Sequence, residues 1–358
     1  MTQRERQILR WIEENPFISQ QELAEKAGIT RSSAAVHISN LMKKGYITGK
    51  GYIVSPNSYV VVVGGVNMDI GGISHAQLVS ADSNPGRVRI SLGGVGRNIA
   101  HNMALMGLDV RMVTVLGGDF YAQKIVSTCG EMGIDISRSL RVADAITSTY
   151  LFISGPDGDM KLAISDMDIY SHLTPAFLAS KLSLFNNAKL LVVDTNIPAE
   201  SIAWLVEHVE VPVFADPVST AKAEKLRPVL GKLHTIKPNR IEAELLSGVP
   251  ITDERSLRRA ANVLLKTGLQ QVFISLGAGG VFAANQDRGL HLPSIPGPMV
   301  NATGCGDAFM AALAWAYMEG MDLEQSAYAG LAASSIALEG SETINPEMSV
   351  DAIRSRLA

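Results

Sequence analysis

The sequence has 358 residues, 31 of them basic and 35 acidic, and its net charge of −4 argues against nucleic acid as a partner of the chain as a whole. Hydrophobic residues make up 47% and charged residues 18%, which excludes a disordered chain and indicates a packed globular protein. The two cysteines, Cys129 and Cys305, allow no disulfide framework and suit a reducing cytoplasm.

The charge is unevenly distributed along the chain. The first 58 residues hold eight basic and five acidic side chains, so a basic head precedes an acidic body. The N-terminal stretch is charged throughout, and no apolar run approaches the length of a membrane span. We therefore predict a cytoplasmic protein without a membrane partner, with a head at 1–54, a linker at 55–58 and a body at 59–358.

The head begins with two predicted helices. The first carries Ile8, Leu9 and Ile12 on one face, together with Trp11, and it stops before Pro16. In the second helix, which follows in the segment SQQELAEKAG, a serine cap precedes a glutamate by three residues and a glycine ends the pattern.

A third predicted helix, capped by Thr30 or Ser32 and ended by Gly45, leads into a hairpin at 46–54. Helix, helix-turn-helix and β wing in this order resemble the winged helix-turn-helix of bacterial transcription regulators. The resemblance implies that the third helix enters the DNA major groove. The alternative is an interaction or regulatory module that has lost DNA binding. Base contacts would come from Thr30, Arg31, Ser32, Ser33 and His37, with Asn40 further along, and phosphate contacts from Lys43, Lys44 and Lys50.

The body alternates short apolar runs with amphipathic helical stretches, which predicts a mostly parallel sheet with helices on both faces. Ligands bind at the carboxyl ends of the strands in such sheets. Small or polar residues follow several of the apolar runs, so we expect a pocket at that edge. They are Asn67, Asp69, Asp194, Asn196, Asp216, Lys237, Asn239, Ser275 and Gly277.

One segment departs from this alternation. Two strands near 148–154 and 160–165 flank the turn sequence GPDGD, which predicts a hairpin. Strands within 68–91 would join it in a small antiparallel sheet. Such a sheet is either a lid over the pocket or an extension of the sheet edge.

A glycine-rich turn precedes a helix at 93–107. Gly93, Gly94 and Gly96 permit close approach of the backbone to a ligand, and Asn98 lies at the start of the helix. No Gly-Lys-Ser/Thr follows, which excludes a P-loop.

Asn239 and Glu242 lie three residues apart in the first turn of another predicted helix. An amide and a carboxylate in this arrangement can hold Mg²⁺ and its water shell near a phosphate. The alternative is an N-cap with its capping-box glutamate.

The segment NATGCGDAF, 301–309, carries the most specific pattern. Gly304, Cys305 and Gly306 expose backbone N–H groups at the start of a helix, where the helix dipole favours negative charge. Asp307 follows in the first turn and can accept a proton from an attacking hydroxyl. Asp is also common in first helical turns for purely structural reasons.

Together these segments resemble the ribokinase, or PfkB, family of ATP-dependent sugar and nucleoside kinases. The glycine turn, NRIE at 239–242, SLGAGG at 275–280 and NATGCGDAF stand in the family's order. The resemblance implies a ribokinase-like α/β sandwich with a central mostly parallel sheet, flanking helices and a small β lid, which serves as the dimer interface in many members. It also implies ATP and Mg²⁺, with no direct protein cluster of metal ligands.

The resemblance further implies roles for individual residues. Asp307 would be the catalytic base, and Gly304, Cys305 and Gly306 would form an anion hole. The ATP and Mg²⁺ site would comprise Asn239, Glu242, Ser275 and Gly277, and substrate hydroxyls would meet Asn67, Asp69, Gly93, Gly94 and Asn98.

Two positions depart from the family pattern. Asn301 stands where the family has aspartate near a monovalent-cation loop, which leaves activation by K⁺ open. Cys305 replaces alanine, and a thiol at a helix N-terminus is expected to be somewhat acidic and oxidisable.

The stretch DMDI, 166–169, and the segment 331–346 are similar to pseudouridine kinases. They favour the 5′-hydroxyl of a nucleoside, pseudouridine first, with Asp166 or Asp168 as substrate contacts or, alternatively, as caps of the following turn. A ribokinase- or fructokinase-like sugar kinase is the second enzyme hypothesis. A transcription regulator with a kinase-fold sensor is the hypothesis of another class. A DNA-reading head would favour a homodimer.

Overall fold

A computed structural model of the protein describes residues 1–49, 53, 54 and 59–357. The predicted linker 55–58 and Lys50 lie outside these residues, and so does part of the predicted wing turn.

The head contains the three predicted helices and the predicted strand pair. The Ser19 hydroxyl accepts a hydrogen bond from the Glu22 N–H at 3.1 Å, and Gly28 ends that helix with φ +62°. Ile8, Leu9, Ile12 and other apolar side chains from all three helices form a small core of the head. The elements are α1 (Gln3–Glu14), α2 (Gln20–Ala27), α3 (Arg31–Lys43), β1 (Ile47–Gly49) and β2 (Ile53–Val54), the two strands pairing antiparallel.

The body follows with alternating strands and helices. Its strands are β3 (Val60–Val63), β4 (Asn67–Ser74), β5 (Gly86–Gly93), β6 (Val110–Val113), β7 (Val115–Gly117), β8 (Ile134–Asp135), β9 (Leu140–Val142), β10 (Thr149–Ser154), β11 (Met160–Asp166), β12 (Leu190–Asp194), β13 (Val213–Asp216), β14 (Thr235–Ile236), β15 (Gln271–Ser275), β16 (Val281–Asn285) and β17 (Gly289–Leu292). Its helices are α4 (Val95–Leu105), α5 (Phe120–Glu131), α6 (Pro175–Ala179), α7 (Leu182–Asn186), α8 (Ala199–His208), α9 (Thr220–Ala223), α10 (Arg240–Ser247), α11 (Glu254–Leu265), α12 (Cys305–Met318), α13 (Leu323–Glu339) and α14 (Val350–Ser355).

Within the described chain, nine strands form the central sheet in the order β17-β16-β15-β14-β13-β12-β3-β6-β8. Seven of them, from β15 to β8, run parallel, and β16 and β17 add an antiparallel edge. Short apolar strands that alternate with helices form this mostly parallel sheet, as predicted.

Apolar side chains leave the sheet on both faces. Val60 and Val62 pack into one core with α4, α5, α12 and α13, whereas Val61 and Val63 pack into a second core with α8, α10 and α11. Because every residue of β3 is fully buried, its sequence is continuously apolar instead of alternating.

A second sheet of the described chain has the strand order β11-β10-β4-β5. β10 and β11 form the predicted hairpin, and β5 pairs antiparallel with β4. The prediction of an all-antiparallel sheet is wrong, because β4 and β10 pair in parallel. The hairpin enters the sheet from a separate part of the chain, so its direction relative to β4 is set by the long connection between them.

No helix of the described residues is long and apolar enough to cross a membrane.

Candidate active site

The carboxyl ends of the parallel strands bring the predicted polar residues to one edge of the central sheet. Asp194 ends β12 and Asp216 ends β13, and both are buried. Lys237 follows β14 and is also buried, and Ser275 ends β15. The site is thus assembled at the strand ends, where parallel sheets bind ligands.

Asp307 lies in the first turn of α12 at this edge. Its carboxylate accepts a hydrogen bond from the Asn98 side-chain amide, with 2.7 Å between Nδ2 and Oδ2, and Asn98 is buried in α4. Burial, and then the nearby Asp216 carboxylate, raises the pKa of Asp307 to about 7 against the opposing effects of Asn98, Lys237 and Arg97. An acid with a pKa near neutrality can take up and return a proton at physiological pH.

Lys237 provides a buried positive charge beside this helix terminus. Its ammonium lies 3.4 Å from the Asp216 carboxylate, and a side chain on Gly306 would put a Cβ within 3.0 Å of it. Burial opposes its charge, but Asp216, Glu242 and Asp307 outweigh that effect and raise the pKa of Lys237. Lys237 therefore stays charged next to the backbone that was predicted to bind a phosphoryl group.

Gly304 starts α12 in a conformation that requires glycine. Its φ is +87°, and a Cβ there would overlap the carbonyl oxygen of Thr343. The first helical hydrogen bond runs from the Ala308 N–H to the Gly304 carbonyl at 2.9 Å. The N–H groups of Cys305, Gly306 and Asp307 precede it, so they have no partner within the helix and can face an anion.

The prediction that the Cys305 thiol is acidic is wrong. Burial, followed by the neighbouring Asp307 carboxylate, raises the pKa of this thiol to about 11. The positive end of the helix dipole does not compensate for a carboxylate two residues away together with the loss of water.

Asn239 and Glu242 form the capping box that was the structural alternative. The Asn239 N–H donates to Glu242 Oε2 at 2.8 Å, and the Glu242 N–H donates to Asn239 Oδ1 at 2.9 Å. Burial raises the pKa of Glu242. One carboxylate oxygen of Glu242 and the Asn239 amide nitrogen have no part in the box, so capping and ligand binding are compatible.

The described residues contain no group of three or more His, Cys, Asp or Glu side chains able to hold a metal ion. Mg²⁺ commonly binds through one or two carboxylates, several waters and substrate phosphates. Glu242 and Asp216 suit that mode. Among the described residues Asp216 Oδ2 accepts no hydrogen bond, although the Lys237 ammonium lies 3.4 Å from it. The donor set therefore fits a hydrated Mg²⁺ that arrives with a nucleotide.

Ser275 and Gly277 lie beside this capping box. Ser275 makes an isolated parallel bridge with Asn239, and Gly277, with φ +59°, begins the short turn Gly277–Gly279. The residues predicted to bind ATP and Mg²⁺ are thus neighbours in the structure.

The predicted sugar-binding residues come together at the start of β4 and the end of β5. The Asn67 amide donates to the Asp69 carboxylate, and a Cβ on Gly93 would collide with that carboxylate. A Cβ on Gly94, whose φ is +97°, would collide with the Gly65 backbone. The groups that approach these glycines closely are therefore the Asp69 carboxylate and the Gly65 backbone of the same chain. Asn98, by contrast, lies against Asp307.

Asp194 was expected at the pocket edge but was given no role, and it holds the glycine turns together. One oxygen of its buried carboxylate accepts N–H groups from Gly65 at 2.8 Å and Gly96 at 2.7 Å. Burial raises the pKa of Asp194 against these hydrogen bonds.

Asp166 and Asp168 are exposed at the base of the second sheet. Asp166 ends β11, and Asp168 begins the 3-10 turn Asp168–His172 without capping it through its side chain. The half-buried ammonium of Lys222 lies 3.6 Å from the sulfur of Met167 and donates to Asn196 Oδ1 at 2.6 Å. Burial lowers the pKa of Lys222. Sequence reasoning gave no role to this lysine, since its helix lies far along the chain.

Comparison with known proteins decides the family. The profile of the pfkB family carbohydrate kinases matches residues 57–349, and that of a winged helix-turn-helix DNA-binding family matches residues 1–48. The chain belongs to the pfkB family of carbohydrate kinases. It is an ATP-dependent phosphotransferase acting on a sugar or nucleoside, with a winged helix-turn-helix domain at its N-terminus.

Relatives of this kinase include both sugar and nucleoside kinases. It is 38% identical to the uncharacterized sugar kinase YeiI of Escherichia coli, over 98% of each chain, a span that includes the head. It is 39% identical to the pseudouridine kinase of Escherichia coli, over 82% of this chain and 94% of the relative. A carbohydrate kinase from Agrobacterium tumefaciens has 29% identity and a TM-score of 0.75, covering 84% of this chain and 97% of that structure.

In the head of the kinase, the predicted DNA-contacting residues lie at the start of α3. Thr30 is the N-cap, and its hydroxyl accepts from the Ser33 N–H at 3.2 Å, which settles the choice between Thr30 and Ser32. Arg31 and Ser32 are exposed, whereas His37 is half-buried. Thr30 to Ser33 form the N-terminal end of α3, as a groove-reading segment requires, and His37 lies in the middle of the helix.

One predicted phosphate contact has another partner. Lys44 forms a 2.7 Å ion pair with Glu5, a buried residue of α1. Its charge therefore neutralises a buried carboxylate of the head, while Lys43 is exposed beside it.

Proposed function

We propose that this kinase transfers the γ-phosphoryl group of ATP to the 5′-hydroxyl of a nucleoside, pseudouridine first. The observation that carries this proposal is Asp307, with a pKa of about 7, beside the unpaired N–H groups that begin α12. The 39% identity to a pseudouridine kinase supports the choice of nucleoside.

In the proposed reaction Asp307 accepts the proton of the substrate hydroxyl as its oxygen attacks. A bond forms between that oxygen and the γ-phosphorus, and the bond from the γ-phosphorus to the β,γ-bridging oxygen breaks, releasing ADP. The backbone N–H groups from Cys305 to Asp307 and the Lys237 ammonium would stabilise the charge on the transferred group. Asn98 would hold Asp307 in position and favour its ionised form.

Glu242 and Asp216 would hold the hydrated Mg²⁺ through their carboxylates. The Asn239 amide nitrogen would donate to a nucleotide phosphate, with Ser275 and Gly277 beside it. When bound, the ion neutralises phosphate charge and orients the nucleotide. The partly free polar atoms of the capping box support this assignment.

Asn67 and Asp69 would bind ribose hydroxyls, with Gly93 and Gly94 supplying the adjoining backbone. An amide hydrogen-bonded to a carboxylate offers both a donor and an acceptor, which suits a pair of hydroxyl groups. Asp166 or Asp168 would contact the substrate from the lid.

The base would lie towards Lys222. Its ammonium, close to Met167 and Asn196, offers a donor to a carbonyl group of the base. A ribokinase- or fructokinase-like activity is the alternative, and the 38% identity to a sugar kinase over nearly the whole chain favours it.

A coupled ADP-release assay with pseudouridine, uridine, inosine, ribose and fructose separates these alternatives. We expect pseudouridine to give the highest kcat/KM and Lys222→Met to reduce it for nucleosides more than for free sugars. A clear preference for ribose or fructose would replace the nucleoside assignment with the sugar-kinase one.

Asn301 bears on monovalent-cation dependence. Its side-chain oxygen accepts from the Thr303 N–H at 2.9 Å, and an amide brings no negative charge. We therefore expect turnover to change little when K⁺ is replaced by tetramethylammonium. Strong activation by K⁺ would contradict this expectation.

We also propose that the head binds DNA through Thr30, Arg31, Ser32, Ser33 and His37. A ligand-sensing regulator with a kinase-fold sensor is the competing hypothesis. Retardation of genomic DNA fragments with and without substrate, beside the turnover assay, distinguishes them. Ligand-dependent retardation without turnover of any substrate would favour the regulator.

A homodimer through the second sheet is the proposed assembly. Its outward face carries cross-strand rows of apolar residues, since Ile164, Leu151, Ile70 and Ile90 are in register across four strands. Ile90 is 58% exposed and Ile164 57%. An exposed apolar face of this kind marks an interaction site, and a second copy of the chain could cover it about a two-fold axis.

Light scattering during size exclusion tests the dimer. We expect Ile90→Glu to yield monomers, while Val79→Glu, an exposed apolar position outside the strands, leaves the dimer intact. A monomeric wild-type protein at micromolar concentration would overturn the proposal.

A further inference from the structure

The head is fastened to the body by ion pairs from the end of α1. Glu13 forms a 2.6 Å pair with Arg111 on β6, and Glu14 lies 3.4 Å from Arg138. The first pair is mostly buried, so it holds the two domains more firmly than an exposed pair would.

The earlier turns of α1 lie across the edge strand β8 and leave a cavity there. Its volume is about 680 Å³, which is within the range of small-molecule sites. One wall belongs to the head and the other to the body, so a molecule in the cavity would touch both. The head supplies Thr2, Gln3, Arg4, Arg6, Gln7 and Arg10, and the body supplies Gly130, Gly133, Ile134 and Asp135.

The guanidinium groups of this cavity are incompletely satisfied. Arg6 donates from its two terminal nitrogens to the Gly133 and Met1 carbonyls, and only its Nε is buried without a hydrogen-bond partner among the described residues. Arg10 lies 3.7 Å from Asp135, which is longer than a charge-assisted hydrogen bond. Arg4 is better satisfied, since it donates to Gln7 and to the Ala27 carbonyl at 2.9 Å each. Among the residues that line the cavity, three arginines face one aspartate, so the lining carries an excess of positive charge.

We propose that this cavity binds a small phosphomonoester, either a sugar phosphate or a nucleoside monophosphate. Guanidinium groups bind phosphate through paired N–H donors, which Arg10 offers, and the charge of Arg6 lies one helical turn away. Thr2, Gln3 and Gln7 offer neutral polar groups for the remainder of the ligand. The site does not include Asp307 or the other candidate active-site residues, and the proposal does not depend on which substrate the kinase phosphorylates.

Binding there couples the two domains. A ligand held by both walls binds the docked arrangement better than a separated one, and it shifts the population towards docking. A phosphorylated metabolite would thereby alter how the head is presented to DNA.

Isothermal titration and hydrogen exchange of the full-length chain test the site, with ribose 5-phosphate, uridine monophosphate and inorganic phosphate as probes. Because a phosphorylated product can also enter the active site, the location is read from exchange at residues 3–10 and 130–135. We expect ribose 5-phosphate or uridine monophosphate to slow exchange in both segments, and the comparison of the two probes identifies the source of the phosphate group.

Two substitutions with opposite effects exclude a mere loss of folding. Arg10→Gln should weaken this binding roughly ten- to a hundredfold, the effect of losing a hydrogen bond to a charged group. Asp135→Asn should tighten it roughly two- to fivefold, because a competing and repelling carboxylate is removed. Arg259→Gln and Asp144→Asn, at exposed positions outside the cavity, serve as matched controls and should leave the affinity for the probes unchanged.

The proposal fails if no probe at millimolar concentration slows exchange in these two segments. It also fails if Arg10→Gln leaves the affinity unchanged, or if Asp135→Asn weakens binding as much as Arg10→Gln does.

Discussion

Replacing Asn98 by leucine should move the pH dependence of the kinase towards alkaline pH. The Asn98 amide donates to the Asp307 carboxylate at 2.7 Å and opposes the burial that raises the pKa of that acid to about 7. Leucine has a similar volume and no donor, so the carboxylate keeps its desolvation and loses its partner.

The size of the shift follows from the lost hydrogen bond. A hydrogen bond to a charged group contributes about 1.5–3 kcal/mol, and one pKa unit corresponds to about 1.4 kcal/mol, so the pKa should rise by roughly one to two units. At pH 7 the ionised fraction of Asp307 then falls roughly five- to fiftyfold, and much of it returns near pH 9. The measurement is kcat/KM between pH 5.5 and pH 9.5.

Asn102→Leu is the matched control for this experiment. Asn102 is buried one turn further along α4 and donates to the Asn98 carbonyl, away from Asp307. It should cost stability without moving the acid limb of the profile. An unchanged limb in Asn98→Leu, with a raised KM alone, would show that Asn98 binds substrate and does not set the protonation of Asp307.

Further predictions concern the same helix start. Asp307→Asn should lower kcat roughly 10²–10⁴-fold and raise stability by ~2 kcal/mol or more at pH 8, measured by denaturant unfolding. Because the folded-state pKa of Asp307 exceeds its unfolded value, the wild-type protein loses stability as pH rises towards 7. The stability that the variant gains over the wild type should therefore be smaller at pH 5, and an equal gain at both pH values would refute this prediction. Gly304→Ala should lower the melting temperature and kcat together, since φ +87° and the Thr343 carbonyl leave no room for a Cβ; a variant of normal stability and kcat would contradict this. Cys305, with a pKa of about 11, should react slowly with iodoacetamide at pH 8, and rapid labelling would count against that value.

Much of the fold could be predicted because its signals are local. Apolar runs such as β3 and β12 are buried on both faces, so their composition alone indicates a parallel sheet. The capping box of α2 was likewise visible in four consecutive residues. The parallel pairing of β4 with β10 could not be predicted, because β-pairing between distant segments depends on the path of the intervening chain.

Part of the candidate site could likewise be predicted from local sequence, and part could not. Asp307 and the glycines before it form one continuous motif, and the sequence indicated them directly. The neighbours that shift the pKa of Asp307 come from distant parts of the sequence, since Asn98 is 209 positions away and Asp216 ends a strand of the central sheet. Lys222 was given no role and the expectation for Cys305 was wrong because both depend on burial, which local sequence does not specify.

We propose Asp307 as the base of an ATP-dependent nucleoside kinase. The most direct test is coupled ADP release by the wild-type protein and by Asp307→Ala with pseudouridine as acceptor. We expect turnover by the wild type and a loss of roughly 10²–10⁴-fold in kcat for the variant, the usual contribution of a general base. Unchanged turnover in Asp307→Ala would contradict it.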